Sequence, residues 1–348
     1  MKNWDVVVIG GGIIGLSISL ELKKRGASVL VVERGEPGRE ASFAAAGMLA
    51  DTPIELPLEL HGLARASARM YPEFVHQLED ESGSKVDLRD QGTIFLSSEH
   101  AHNGHSLPAP LAELEPALTI SQQPAMYFKE RTVDPRALAV AALKAARHHG
   151  VDVSSGSTVT RVVVEHGHVI GVETDKTTYG AAAVVNCAGA WSGQVGPVQF
   201  PTRPVKGQML ALVGPRDLLR HVIRAREGYL VPRSDGRVVV GSTLEEVGFD
   251  KRIDADTIHR LHEAALQIVP KLAGARILES WAGLRPGTPD SLPLLGKTST
   301  AGYFVATGHF RDGILLTPVT AEIMARVITG GTPDYDISAF SSDRFSNT

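Results

Sequence analysis

The sequence predicts an α/β fold, α+β overall, with two intertwined domains. Three observations support this class. A hydrophobic strand, a glycine-rich run and a helix follow one another between Asp5 and Arg25, and a second strand covers residues 28–33. Short strands separated by turns that contain Gly-Pro and Asp-Gly cluster between residues 201 and 241. At 348 residues the chain is also too long for one simple core.

The first strand and helix are joined by the spacing Gly10-x-Gly12-x-x-Gly15. Gly10 would make a tight turn, Gly12 would let the backbone approach a pyrophosphate, and Gly15 would let helix and strand pack closely. The helix N-terminus favours an anion there. Glu33 ends the second strand, where its carboxylate can accept hydrogen bonds from ribose hydroxyls and would repel the 2′-phosphate of NADP. The pattern predicts Rossmann-like dinucleotide binding; the alternative is a glycine-rich turn in an ordinary sheet.

Composition argues against several classes of function. A net charge of −4 provides no basic field for nucleic acid. The single cysteine, Cys187, permits no internal disulfide and no cysteine-rich metal site, and it fits a reducing cytoplasm. The first apolar run breaks at three glycines, so we expect no signal peptide and no firm membrane signal. His100, His102 and His105 lack an acid or cysteine at ligand spacing, so we expect no metal site.

The elements beyond the second strand follow in chain order. Ala41–Leu49 has small side chains, which indicate either a backbone packed against something flat or a short alanine-rich helix on the sheet. Asp134 and Pro135 suit the N-cap and first position of a helix that ends at Gly150. The other predicted helices are residues 13–25, 58–82, 255–269 and 318–328, and the other predicted strands are residues 91–96, 158–165, 169–174, 180–189, 210–213, 228–232 and 237–241.

Four further motifs make the pattern more specific than the glycine fingerprint. They are Ser42–Leu49, Val184–Trp191, Trp281–Gly287 and Gly308–Ile314, in that order along the chain. With these motifs the sequence resembles the FAD-dependent amine oxidases of the D-amino acid oxidase superfamily. Within that superfamily it is most similar to the glycine oxidases that serve thiamin (thiamine) biosynthesis. The resemblance spans nearly the whole chain.

The resemblance implies a Rossmann-like FAD-binding domain built from discontinuous segments, together with a substrate-binding domain that has an antiparallel sheet. The FAD-binding domain would comprise residues 1–82, 132–196 and 282–348, and the substrate-binding domain residues 83–131 and 197–281. In this division Trp281–Gly287 and residues 303–308 are interpreted as a return to the nucleotide domain. The resemblance also implies a cytoplasmic homo-oligomer. Its FAD would be noncovalent, because Cys187 does not match the flavin-attaching cysteine of sarcosine oxidases.

Matching the motifs residue by residue implies a set of cofactor contacts. Gly10, Gly12, Ile14, Gly15, Glu33 and Arg34 would hold ADP; Ser42, Ala45, Ala46, Gly47 and Met48 would line the pyrophosphate and one flavin face; the Val159 backbone would meet adenine; Ala188, Gly189 and Trp191 would close over the cofactor; and Gly283, His309, Arg311, Asp312, Gly313 and Ile314 would approach the isoalloxazine. The N–H groups of Gly313 and Ile314, at a helix start, would polarise the N1–C2=O edge of the flavin.

The resemblance places Arg285, Tyr229 and Arg311 at the substrate as catalytic residues. Arg285 would bind an amino acid carboxylate bidentately, the alternative being a structural ion pair with an acid such as Asp290. Tyr229 would donate a second hydrogen bond to the carboxylate, the alternative being an ordinary strand tyrosine. Arg311 would stand near the substrate above the flavin, or else form a salt bridge at a helix start.

The implied reaction is oxidative deamination of glycine or another small amino acid or amine, such as sarcosine, D-alanine or D-proline. Hydride would pass to flavin N5, an imine would be released, and reoxidation by O2 would form H2O2. Glu227 and Leu244 depart from the pattern, where a histidine and a methionine are expected, so the preferred amine stays open. The alternatives are a D-amino acid or imino acid dehydrogenase that passes electrons to a quinone or carrier, and a nonenzymatic flavin-binding protein.

Overall fold

A computed structural model describes residues 3–52, 54, 56–96, 105–118 and 124–345. Its strands are β1 (Asn3–Ile9), β2 (Val29–Glu33), β3 (Met48–Leu49), β4 (Leu88–Arg89), β5 (Thr93–Leu96), β6 (Ala125–Phe128), β7 (Arg131–Val133), β8 (Asp152–Ser155), β9 (Val159–Glu165), β10 (His168–Thr174), β11 (Thr178–Asn186), β12 (Arg203–Val213), β13 (Val222–Ala225), β14 (Gly228–Pro232), β15 (Arg237–Gly241), β16 (Arg276–Gly287), β17 (Leu294–Lys297) and β18 (Tyr303–Thr307). Its helices are α1 (Ile13–Lys24), α2 (Ala41–Ala44), α3 (His61–Ser82), α4 (Leu111–Leu114), α5 (Pro135–His148), α6 (Ala255–Ile268) and α7 (Thr317–Ile328).

The larger sheet has the order β17-β18-β11-β1-β2-β8, and β10 extends it from β11 and in turn pairs with β9. The strands from β18 to β8 pair in parallel, so the sheet is of the nucleotide-binding type. Its central strands are apolar and buried, as expected for a parallel sheet covered on both faces. The strands come from three separate parts of the chain, which confirms the predicted α/β fold built from discontinuous segments.

The second sheet has the order β16-β12-β15-β14-β13-β5-β6 and is antiparallel except where β13 pairs with β5. Strand β16 pairs with β12 along its length, from Arg276 opposite Val213 to Gly287 opposite Arg203. The interpretation of Trp281–Gly287 as a return to the nucleotide domain is therefore wrong, because this motif continues a long strand of the second sheet. The chain re-enters the larger sheet at β17. The exact domain boundaries stay a prediction.

Local signals near helix ends were mostly reliable. The Asp134 carboxylate accepts hydrogen bonds from the N–H groups of Arg136 (2.9 Å) and Ala137 (3.3 Å), so it caps α5 as predicted. The interpretation of Ala41–Leu49 as a short helix holds in part, because α2 covers its first four residues and the chain is then extended into β3. Packing of this backbone against something flat stays a prediction. Strands β4, β6, β7, β8, β13 and β17 were not predicted.

The expectations about a histidine metal site and about a membrane signal can be compared only with the described residues. His100 and His102 lie outside them, and His105 pairs through its backbone with Tyr127. None of the described helices is long and apolar enough to cross a membrane.

Candidate active site

A continuous cavity of about 1230 Å³ is lined by residues of both sheets. We call the part around Gly10, Gly12 and Glu33 the glycine-loop end, and the part around Arg285 and Tyr229 the arginine end. The cavity brings together every site residue expected from the sequence except one. These lining residues are Gly10, Gly12, Ile14, Glu33, Arg34, Ser42, Ala45, Ala46, Gly47, Met48, Val159, Ala188, Gly189, Trp191, Tyr229, Gly283, Arg285, His309, Arg311, Asp312, Gly313 and Ile314.

The exception, Gly15, shows how the glycine loop divides its tasks. A Cβ on Gly15 would lie 2.1 Å from the Gly10 carbonyl oxygen, and one on Gly10 would lie 2.4 Å from the Cys187 carbonyl oxygen. Gly10 also has φ of +103°, which side chains rarely adopt. At Gly12 a Cβ would meet only the Ser42 hydroxyl, at 3.4 Å. Gly10 and Gly15 are therefore needed by the protein's own packing, whereas Gly12 keeps the cavity wall open.

The start of α1 faces the same space. Gly12 is its N-cap and supplies no capping side chain, while the Ile13 N–H donates to the Ser42 hydroxyl (2.9 Å). The Glu33 carboxylate is buried and oriented by the N–H groups of Gly11 and Gly35, each 2.8 Å from one of its oxygens. Each carboxylate oxygen has a further lone pair, so Glu33 could still accept from ribose hydroxyls.

A side-chain cluster forms the outer wall of the glycine-loop end. The Arg34 guanidinium lies 3.5 Å from the ring centroid of Trp191 and donates to Glu40 at 2.9 Å. Trp191 contacts the Phe249 ring at 5.2 Å between centroids, and Lys251 donates to Glu40 at 3.0 Å. The segment between β15 and α6 therefore packs against Trp191, which is predicted to close over the cofactor, and against Glu40, the partner of Arg34. The sequence did not indicate these contacts.

At the arginine end, the Arg285 guanidinium extends from β16 across Gly207 of β12. A Cβ on Gly207 would lie 2.3 Å from Arg285 Nη1. Arg285 Nη2 donates to the Ser242 hydroxyl (2.7 Å) and Nη1 to the Thr243 carbonyl (3.2 Å). Burial lowers the pKa of Arg285, but an arginine remains charged at neutral pH.

The expected alternative for Arg285 is not observed. Asp290 forms its ion pair with Arg344 instead, at 2.7 Å, and no carboxylate of the described residues forms an ion pair with Arg285. A buried guanidinium that faces a cavity and has spare N–H groups is suited to bind an anion that enters from solvent.

Tyr229 lines the arginine end from another strand of the second sheet. Its strand, β14, is separated from β12 by β15, and its phenol lies over Gly241, where a Cβ would be 2.6 Å from the hydroxyl. The phenol also lies 3.9 Å from Met209 Sδ. Met209 comes two residues after Gly207 in β12, so the Tyr229 phenol and the Arg285 guanidinium face the same part of the cavity. Gly207 and Gly241 thus make room for Arg285 and Tyr229 on one face of the sheet.

The remaining polar residues near the arginine end occupy different positions. Arg311 lines the cavity, and its charge acts to lower the pKa of Arg285. Glu227 lines the cavity from the exposed turn between β13 and β14. Leu244, by contrast, is 54% exposed and does not line the cavity, so its departure from the family pattern is not a change in the cavity wall.

The loop after β18 connects the two ends. Burial lowers the pKa of His309 to about 4, so its ring is neutral at pH 7, with Nε2 3.2 Å from the Thr320 hydroxyl. The Phe310 N–H donates to the Pro286 carbonyl of β16 (3.0 Å). Gly313 and Ile314 line the cavity in the turn that runs directly into α7, where the Leu316 N–H donates to the Asp312 carbonyl (2.8 Å), so they lie close to their expected place at a helix start.

Comparison with known proteins identifies the family. The model of the DAO family, described as FAD dependent oxidoreductase, matches residues 5–327. This chain belongs to that family. It is 32% identical to a glycine oxidase of Pseudomonas putida over 97% of this chain and 98% of that protein. It is 36% identical to a bifunctional ThiO/ThiG protein of Trichormus variabilis over 98% of this chain, but it spans only about half of that protein, 55%.

Among solved structures, the chain is similar to glycine oxidase from Geobacillus kaustophilus. The TM-score is 0.94 at 32% identity, and 99% of each chain is covered. The similarity confirms the resemblance found in the sequence and identifies the chain as an FAD-dependent oxidoreductase.

The cavity fits the cofactor of this family. An elongated dinucleotide needs a backbone approach at a helix N-terminus, an acid for the ribose and a long enclosed wall. In the cavity, Gly12 at the start of α1 permits the backbone approach, Glu33 is the acid, and the wall continues to the arginine end. The individual roles assigned to the lining residues stay predictions, as do noncovalent attachment and the homo-oligomer.

Sequence reasoning missed several residues of the arginine end. Ser242, Gly207 and Gly241 hold or accommodate the two predicted substrate residues, and Arg224 of β13 lines the cavity opposite Tyr229 in the strand register. None belongs to a contiguous motif, so only the pairing of distant strands reveals them.

Proposed function

We propose that this FAD-dependent oxidoreductase catalyses oxidative deamination of glycine or another small amino acid or amine, such as sarcosine, D-alanine or D-proline. The observation that carries the proposal is the convergence of Arg285 and Tyr229 in a cavity that also contains the glycine loop. Bound FAD would supply the two-electron acceptor that oxidation of a carbon–nitrogen bond requires. The overall reaction would consume O2 and water and release H2O2 and a keto or aldehyde acid, with the nitrogen leaving as ammonia from glycine or D-alanine and as methylamine from sarcosine.

The task of Arg285 in this reaction is to hold the substrate carboxylate. A guanidinium has five N–H donors, and Ser242 and Thr243 engage two of them, so enough donors remain for a bidentate carboxylate. Tyr229 would donate one more hydrogen bond. Holding the substrate in one orientation would lower the barrier by on the order of several kcal/mol, because the reacting groups are already aligned.

The arginine end would also influence which amine is accepted. Arg285 and Arg311 bring positive charge to it, so the carboxylate of the substrate should face them. Glu227 would favour a substrate with a positive charge on its amine side. Since only the neutral amine has the lone pair that the oxidation needs, we expect turnover to rise with pH. We further propose, on the resemblance to thiamin-pathway glycine oxidases, that the product feeds thiamin synthesis.

Anaerobic bleaching of the holoenzyme tests the proposal. Glycine, sarcosine, D-alanine and D-proline should each be mixed with the yellow protein, and at least one should abolish the oxidised flavin absorbance. Methylamine, which has no carboxylate, is the matched control and should bleach far more slowly. Admission of air should then restore the absorbance and release H2O2.

Each other outcome of that experiment points elsewhere. Bleaching that air does not reverse would favour the dehydrogenase that passes electrons to a quinone or carrier. If no amine bleaches the flavin, the proposed function fails and a nonenzymatic flavin-binding role becomes the better account. Equal bleaching by methylamine and glycine would show that binding of the substrate carboxylate does not contribute to the reaction.

A further inference from the structure

A buried arginine lies behind the small-residue wall of the cavity. Arg233 follows β14 in the hairpin to β15 and is only 4% exposed, yet it does not line the cavity. Its Nη2 donates to the carbonyl oxygen of Ala46, which does line the cavity. Its Nη1 is buried and has no hydrogen-bond partner among the described residues. The side-chain hydrogen bond of this guanidinium is therefore made to the backbone of the cavity wall.

Arg233 keeps its charge in this position. Burial lowers its pKa to about 10, and the nearby carboxylates of Asp134 and Asp87 partly oppose that effect. Those acids have other partners: Asp134 caps α5 and pairs with Arg237 at 2.7 Å, and Asp87 accepts from Ser234. Burying a charge is costly, and the two carboxylates offset part of that cost, yet the side-chain hydrogen bond of Arg233 goes to the Ala46 carbonyl.

The wall segment, Ala44–Gly47, is held by its carbonyls, which accept hydrogen bonds from protein donors on the side away from the cavity. The Ala44 carbonyl accepts from Trp281 Nε1 (3.1 Å), the Gly47 carbonyl from the Val133 N–H (2.9 Å), and the Ala46 carbonyl from Arg233. In a trans peptide the C=O and the N–H point in opposite directions. The N–H of the Ala46–Gly47 peptide, which belongs to Gly47, is thereby directed to the cavity side.

The donor side of this peptide is open. Among the described residues, the Gly47 N–H has no acceptor, and Gly47 itself lines the cavity. A guanidinium on the carbonyl of a peptide draws electron density from it, so the N–H of the same peptide becomes a stronger donor. Such a donor in a water-poor cavity stabilises negative charge in front of it.

We propose that Arg233 is a positioning residue for the flavin: through the Ala46 carbonyl it orients the Gly47 N–H into the cavity and strengthens it as a donor to the flavin ring. Two-electron reduction adds negative charge to that ring, so the reduced cofactor gains more from this donor than the oxidised one. Arg233 therefore raises the reduction potential of the bound flavin. The inference rests on the FAD of the family and not on the proposed substrate, so either can fail alone.

The test compares holoenzymes of Arg233→Gln, Arg233→Met and Arg233→Lys with a matched control, Arg237→Gln. The control removes a neighbouring guanidinium, which pairs with Asp134 and Asp235 and, among the described residues, donates no hydrogen bond to residues 44–47. FAD dissociation constants are measured by flavin fluorescence, midpoint potentials with reference dyes, and stability by thermal unfolding of the apoproteins.

Loss of the charge in Arg233→Gln and Arg233→Met should weaken binding of the reduced flavin about tenfold more than binding of the oxidised flavin. For a two-electron couple this lowers the midpoint potential by about 30 mV. Arg233→Lys should recover most of the potential, because it keeps the charge, and Arg237→Gln should leave it at the wild-type value.

Three results would overturn the assignment. One is an unchanged potential in folded Arg233→Gln or Arg233→Met, whatever happens to FAD affinity. The second is an equal fall in Arg237→Gln, which would show a general effect of charge near Asp134. The third is failure of both Arg233→Gln and Arg233→Met to fold as apoproteins, with or without Arg233→Lys, since Arg233 would then be a requirement of the fold.

Discussion

The two ends of the cavity are built in different ways. At the glycine-loop end, backbone atoms of one contiguous run face the cavity, and the critical glycines lie within six residues of one another. At the arginine end, side chains from β16 and β14 meet over glycines of β12 and β15, which come from distant parts of the chain. The first end depends on local conformation, and the second depends on strand register.

If the two ends bind cofactor and substrate as proposed, this difference separates the two tasks in the molecule. A change in the glycine loop should alter FAD affinity or folding, whereas a change over Gly207 and Gly241 should alter the handling of a carboxylate with FAD still bound. Variants at each end therefore test whether the two ends act independently.

Arg285→Leu should have the largest effect. Two hydrogen bonds to a charged group contribute about 1.5–3 kcal/mol each, so kcat/KM for glycine should fall about 10²- to 10⁴-fold. Arg285 does not touch the glycine-loop end, so the purified variant should retain its FAD. Oxygen consumption and flavin absorbance measure the two quantities.

Arg344→Leu is the matched control, because Arg344 pairs with Asp290, the acid expected for Arg285. It should leave kcat/KM unchanged. Loss of FAD from Arg285→Leu would show that the two ends are not separable and that the arginine has a structural role.

His309, in the loop that connects the two ends, should make stability depend on pH. Its pKa is about 4 in the folded protein against an ordinary 6.5, so the unfolded chain binds more protons between these values. Stability is therefore lost as pH falls from about 6.5 toward 4, by roughly 3 kcal/mol in full. Urea unfolding of the apoprotein across this range should show a shallower slope in His309→Gln.

His168→Gln, which changes an exposed histidine in the β9–β10 hairpin, is the control and should keep the wild-type slope. If His309→Gln has the wild-type slope as well, the buried ring does not couple stability to pH, and other groups must account for any acid sensitivity.

The same contrast explains what the sequence could predict. The turn at Gly10, the acid Glu33 and the cap Asp134 act on neighbours close in sequence, so their spacing identified them. Trp281–Gly287 was misplaced because its glycines resemble those of a loop, while its true partner is β12, more than seventy residues earlier. Ser242 and Gly207 gave no local signal, since their contact with Arg285 exists only once three strands are in register.

Alanine at Gly10 should lower the stability of the apoprotein, whereas alanine at Gly12 should weaken FAD binding. Gly10→Ala forces a side chain into positive φ and against the Cys187 carbonyl, so the apoprotein should lose about 2 kcal/mol of stability. Gly12→Ala meets only a hydroxyl at 3.4 Å, so its apoprotein should be as stable as wild type while FAD binding weakens. Urea unfolding and FAD titration measure both. Equal destabilisation by the two variants would contradict the division of tasks between these glycines.

Ser242→Ala should have the smallest effect and the most specific one. It removes the hydroxyl that fixes Arg285 Nη2, so the guanidinium keeps its charge but is less well oriented. The carboxylate is bound in the same way in the enzyme–substrate complex and in the transition state, so its weaker binding affects both equally. KM for glycine should therefore rise about tenfold, or ~1.4 kcal/mol, with kcat little changed. Ser242→Thr should restore KM, since it restores the acceptor. A fall in kcat at constant KM would instead mean that Ser242 acts in the transition state, and weaker FAD binding would mean that strand register at the arginine end also supports the glycine-loop end.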